Sequence, residues 1–110
     1  MNLPGGDRAV VDIAKLTEYC LNTEHPRGRH KARVFASVLG FGTREAELLR
    51  RALLEAAIDG QATPGEGDDY GQRYVVDFEL SGPRGRATVR SNWIVLTDED
   101  YPRLTSCYVL

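Results

Sequence analysis

The apolar period of this chain changes from helical to alternating near Gly60, and that switch restricts the possible folds more than any other feature. Before it, three stretches carry apolar residues along one helical face. Asp12 is placed to cap the first, whose face holds Ile13, Leu16, Tyr19 and Cys20. Asn22 and the His25-Pro26 pair end it, because the residue before proline is driven out of helical space. The second is expected from about Arg29 to Leu39, with Ala32, Phe35, Ala36 and Leu39 in a stripe and Gly40 as its C-cap. Thr43 is expected to cap the third. It runs through about Ile58 on a stripe of Ala46, Leu49, Leu53, Ala56 and Ala57, and Asp59-Gly60 stops it.

After the switch, the Gly/Pro/Asp-rich stretch from Thr63 to Asp69 reads as a flexible loop. Gln72 to Leu80 alternates, with Tyr74, Val76, Phe78 and Leu80 on one face, and Ser81 to Gly85 reads as a hairpin turn. Arg86 to Leu96 is a longer strand with Ala87, Val89, Ser91, Trp93 and Val95 on one side. Ile94 and Leu96 break the polar alternation on the other side, which predicts a central strand covered on both faces at that end. An acidic turn, Asp98-Glu99-Asp100, leads through Pro102 to a last strand from Leu104 to Leu110. The expectation is one α+β domain over residues 1–110, with about three N-terminal helices packed on a three- or four-stranded antiparallel β-meander. A chain of this length hides roughly two-thirds of its unfolded surface and builds a core without staples.

Composition narrows the function classes. Hydrophobic residues make up 42% and charged residues 27%, and no apolar run reaches transmembrane length, so disordered and membrane-spanning classes are set aside. The opening MNLPGGDRAVV lacks the basic-then-apolar pattern of a secretory signal, and Cys20 and Cys107 fall on apolar faces. Both facts fit buried thiols in a cytoplasmic protein better than a disulfide. There is no P-loop, no GxGxxG after a strand and no GxSxG elbow. Cys20, His25, His30 and Cys107 lack zinc-knuckle spacing, so neither a metal nor a cofactor is expected.

Fourteen Lys+Arg against sixteen Asp+Glu give a formal charge of -2, which taken whole argues against a generic nucleic-acid binder. The order of the charges points the other way. Between His25 and Leu54 stand seven Arg/Lys and two Glu, and the hairpin adds Arg84, Arg86 and Arg90 with no acid between Glu79 and Asp98. A second helix crossing the sheet would gather these into a basic surface, where Arg29, Arg33 and Arg86 contact backbone phosphates. The ordinary alternative is a solvated helix face balanced by acids elsewhere in space.

The sharpest cluster runs from His25 through Arg27, Arg29, His30 and Lys31 to Arg33. Histidine titrates near neutrality and serves as a general base or acid, while a cation stabilises developing charge on phosphorus. His30 and Lys31 open a helix, whose backbone N–H groups favour anions. Surface exposure or loop capping is the plainer role for each histidine.

Leu21-Asn-x-x-His25-Pro-x-Gly28-Arg-His30-Lys31-Ala-Arg33-Val-Phe35 is followed by Tyr70-Gly-x-x-Tyr74 and Gly82-Pro-x-Gly85-Arg. Val89-Arg90-x-x-Trp93-Ile94 and Pro102-Arg103-Leu104-x-x-x-Tyr108 complete the set. Together these motifs resemble a family of small bacterial domains of unknown function, found alone and at the C-terminus of phage-head and polymorphic-toxin proteins. The layout is similar to that of the barnase/EndoU/colicin/RelE-like metal-independent ribonucleases. That resemblance implies His25 or His30 as general base, Lys31 stabilising charge, Arg90 holding the phosphate, and Ser91 or Ser106 offering it a hydroxyl. It implies Trp93 and Tyr108 as core residues or as a stacking platform for a base.

Two functions follow as expectations. The first is a toxin-like ribonuclease that attacks RNA through its 2′-hydroxyl and is encoded beside a small neutralising protein. The second is a non-catalytic interaction module, immunity- or antitoxin-like or phage-associated, which docks an acidic protein surface on the same basic patch. The acidic net charge suits the second better. An enzyme acting on a small phosphorylated metabolite has no motif in its favour.

Overall fold

The change of period is realised as two layers, helices first and one sheet after, in a computed structural model that describes residues 1–110. In α1 (Ile13–Lys15), Asp12 Oδ1 accepts from the Ala14 amide at 3.0 Å, the expected cap. The helix continues through a wider turn over Leu16–Cys20, where the Leu21 amide reaches back five residues to the Leu16 carbonyl at 2.9 Å. α2 (Arg29–Val34) likewise runs on through Phe35–Leu39 and ends on Gly40 at φ +75. A Cβ at Gly40 would also lie 2.9 Å from the side chains of Pro83 and Arg84, so the hairpin turn sits directly against this cap. α3 (Ala46–Asp59) follows a tight turn over Thr43–Glu45. Its cap differs from expectation: Thr43 is already inside the turn, and the Gly42 amide donates to Glu45 Oε1 at 2.8 Å. The helix supplies its own closing acceptor.

Four antiparallel strands, β1 (Ala62–Gly67), β2 (Gly71–Gly82), β3 (Gly85–Leu96) and β4 (Pro102–Val109), lie in sequence order. The stretch from Thr63 to Asp69, expected as a flexible loop, therefore holds most of a strand. Ala62 pairs with Val76, Thr63 with Val75 and Pro64 with Tyr74 before the register slips ahead of Gly67. An edge strand has one neighbour only, so it accepts a proline and glycines that a central strand would exclude. Contacts rather than propensity hold it there. The Ala62 amide donates to the Met1 carbonyl at 2.7 Å, and Gln72 Nε2 donates to the Gly65 carbonyl at 2.9 Å.

Helices cover one face of the sheet. Val76, Val89, Trp93, Leu104 and Cys107 bury against Leu16, Phe35, Leu39, Leu49 and Leu53 in one cluster. Ser91, in the middle of that face, has no exposure; its hydroxyl donates to the Val76 carbonyl at 2.6 Å and accepts from Trp93 Nε1 at 2.8 Å. Ile94 is buried on the reverse side, as expected for the end of a central strand. Both cysteines are free and buried, and no helix is long and apolar enough to cross a membrane.

The acidic turn before β4 is a clamp. Glu99 accepts from Arg103 Nε and Nη2, each at 2.7 Å, and from the Tyr101 hydroxyl at 2.6 Å. Arg103 first and Tyr101 second hold the Glu99 carboxyl at about 2. A folded-state value below that of the unfolded chain adds stability above about pH 4.3, and this is lost as pH falls toward 2. Glu99→Gln is therefore expected to flatten the acid limb of stability, read as urea midpoints between pH 5 and pH 2. The same limb in both proteins would show that the clamp contributes nothing.

Candidate functional site

The face of the sheet away from the helices carries a line of unlike groups. The two-residue turn at Pro83-Arg84 sets Gly82 opposite Gly85, and counting back along the hairpin puts Asp77 opposite Arg90; β4 then sets Tyr108 on the other side of Arg90. Asp77 Oδ1 accepts from Arg90 Nε and Oδ2 from Nη2, both at 2.9 Å. Both side chains stay about one-third exposed, and Arg90 Nη1 is left over. The guanidinium holds the Asp77 carboxyl below its usual range, while Asp77, with a lesser part from Tyr108, holds the proton on Arg90. A groove of about 370 Å³ beside this pair is lined by Gln61, Thr63, Val75, Asp77 and Arg90.

Lys31 completes the line from the helix layer. Ala32 and Phe35 are buried, which seats α2 at the sheet and leaves Lys31 exposed at the rim. Its Nζ stands 4.2 Å from the centre of the Tyr108 ring, a cation over an aromatic face. Carboxylate, guanidinium, phenol and ammonium thus follow one another from β2 to α2.

The histidines lie outside this line. His25 Nδ1 accepts from the amides of Arg27 and Gly28, both at 3.0 Å, and the ring meets Tyr19 edge-on at 4.7 Å. A Cβ on Gly28 would stand 2.9 Å from the Tyr19 carbonyl, so glycine lets the loop close this tightly. Two N–H groups pointing at Nδ1 place the neutral ring's proton on Nε2. A general base at Nε2 needs the opposite tautomer, with a proton where both amides already point. His25 is therefore a donor that caps a loop, and the expectation of a base there is corrected. It lines a cleft of about 630 Å³ with Lys15, Glu18, Tyr19, Arg27 and Ser106. His30 is exposed on α2, and its ring makes no hydrogen bond or ion pair.

One further expectation is corrected by burial. Ser91 has no exposure and its hydroxyl is satisfied on both sides, so it offers nothing to a phosphate. Of the two roles expected for Trp93, core residue or stacking platform, its 1% exposure selects the core. Ser106 is half-buried and accepts from Asn92 Nδ2 at 3.3 Å. Arg29 and Arg33 are exposed and free of ion pairs, and Arg86 pairs with Glu79 at 3.4 Å. Asp77 is the residue that sequence reasoning missed. The signal was present, because it sits on the polar side of an alternating strand and the glycines of the turn give the register that faces it to Arg90.

A family model described as "Domain of unknown function (DUF6883)" matches residues 2–110. Comparison with curated proteins finds no match.

Proposed function

The chain belongs to the family of domains of unknown function DUF6883, and on that premise we propose that it is a metal-independent, toxin-like ribonuclease acting in the cytoplasm from the helix-free face of its sheet. The observation that carries this reading is the line Asp77–Arg90–Tyr108–Lys31, which holds a base, an acid and two cations within one open surface. Phosphodiester transesterification needs those parts. The Asp77 carboxylate takes the proton of the 2′-hydroxyl as that oxygen forms a bond to phosphorus. The P–O5′ bond breaks, and the departing 5′-oxygen takes the Tyr108 proton. Arg90 Nη1 and Lys31 Nζ stabilise the charge that builds on the non-bridging oxygens. The products are a 2′,3′-cyclic phosphate and a 5′-hydroxyl, with Asp77 one proton richer and Tyr108 one poorer. A small neutralising protein would act by covering this face.

The test is a strand of DNA with one ribonucleotide, incubated with purified protein and excess chelator. Cleavage only at the ribonucleotide, leaving a cyclic phosphate, is expected. Folded protein that leaves RNA intact under these conditions rejects the reading. A second reading has its own support: Arg27, Arg29, Lys31 and Arg33 are all exposed and none is ion-paired. Their exposed positive charge suits docking of an acidic protein without catalysis. RNA left intact, together with salt-sensitive binding to an acidic protein lost on reversing these charges, would favour it.

A further inference from the structure

Three depressions on the surface are joined by the residues they share. Val75 lines both the groove beside Asp77 and Arg90 and a second one of about 300 Å³ that includes Arg73 and Asn92. Thr105 and Ser106 line that second groove and also the cleft that holds His25. The path therefore runs from the reacting line on β2 and β3, across β4, into the cleft against α1. We propose that this cleft is a nucleotide subsite, which holds a nucleotide of the RNA strand further along from the one being cut; the proposal rests on the ribonuclease reading.

The chemistry of the cleft suits one nucleotide. Its volume of about 630 Å³ is in the range of small-ligand sites. Lys15 and Arg27 have no carboxylate partner and are free to meet a phosphate. The two backbone amides on Nδ1 fix the His25 ring, so its Nε2–H is an oriented donor for a base or ribose oxygen. Glu18, also free of ion pairs, is an acceptor for base N–H groups. Tyr19 and Ser106 supply an aromatic edge and a hydroxyl.

The experiment compares kcat/KM for a dinucleotide, which fills only the reacting line, with that for octanucleotides extended on either side of the same bond. Wild-type protein is expected to prefer one of the octanucleotides by about tenfold or more. Lys15→Ala with Arg27→Ala should bring that ratio close to one. His25→Asn, whose Oδ1 keeps an acceptor for the loop amides but lacks the Nε2–H, should lower it several-fold, with melting curves reporting whether the fold is kept. A wild-type preference that survives in these variants, or no preference at all, overturns the subsite and leaves the ribonuclease reading standing. Wild-type protein that cuts neither substrate overturns both.

Discussion

Arg90→Ala and Lys31→Ala are each expected to lower kcat/KM for RNA cleavage by about 10²–10³-fold, the usual loss when one donor to a developing anion is removed. Neither residue is a core residue: Arg90 is about one-third exposed and Lys31 lies on the rim of α2. Melting temperatures should therefore change little while activity collapses. Asp77→Asn tests the base and should lose about 10²–10⁴-fold. The pH profile separates these roles. Arg90 holds the Asp77 carboxyl low, so the acid limb of kcat/KM in wild-type protein should fall below the ordinary carboxylate value of about 3.9. Removing Arg90 lets that carboxyl rise, so the residual activity of Arg90→Ala should be lost at a higher pH. Full activity in Arg90→Ala would remove the line from the mechanism.

Trp93→Ala is expected to cost about 3–5 kcal/mol, the range for deleting a large buried aromatic. Against a total stability of about 5–15 kcal/mol for a domain, that leaves little margin at 37 °C. The side chain is 1% exposed in the middle of the sheet face that the helices cover, and its Nε1 donates to Ser91. Ser91→Ala should cost about 1–3 kcal/mol, because it leaves the buried indole N–H of Trp93 unpaired. Both costs are read as shifts of the urea midpoint at constant m-value. Loss of RNA cleavage in Ser91→Ala should track the folded fraction only. A fully folded Ser91→Ala protein without activity would return that hydroxyl to the reaction.

Most of the architecture was legible because it is local. A stripe such as Leu49, Leu53, Ala56 and Ala57 has one helical reading, and the alternation of Tyr74, Val76 and Phe78 has one strand reading. The glycines around Pro83-Arg84 even carried the register that sets Asp77 against Arg90. The strand Ala62–Gly67 was not legible, because Pro64, Gly65 and Gly67 carry turn signals that outweigh the extended preference of Thr63; β2 and the N-terminus hold it by backbone hydrogen bonds.

Residue order alone sets the two-layer α+β domain, the basic run from Arg27 to Arg33, and the presence of His25, His30, Lys31 and Arg90. Packing selected which of these stand together. It set Lys31 over Tyr108 on the line with Arg90, turned His25 into a loop cap with its proton on Nε2, and buried Ser91 against Trp93. The reason is physical. Period and turn residues act over a few positions and are written along the chain, whereas a tautomer, an ion pair or a cation over a ring depends on groups far apart in sequence that only packing brings within a few ångströms.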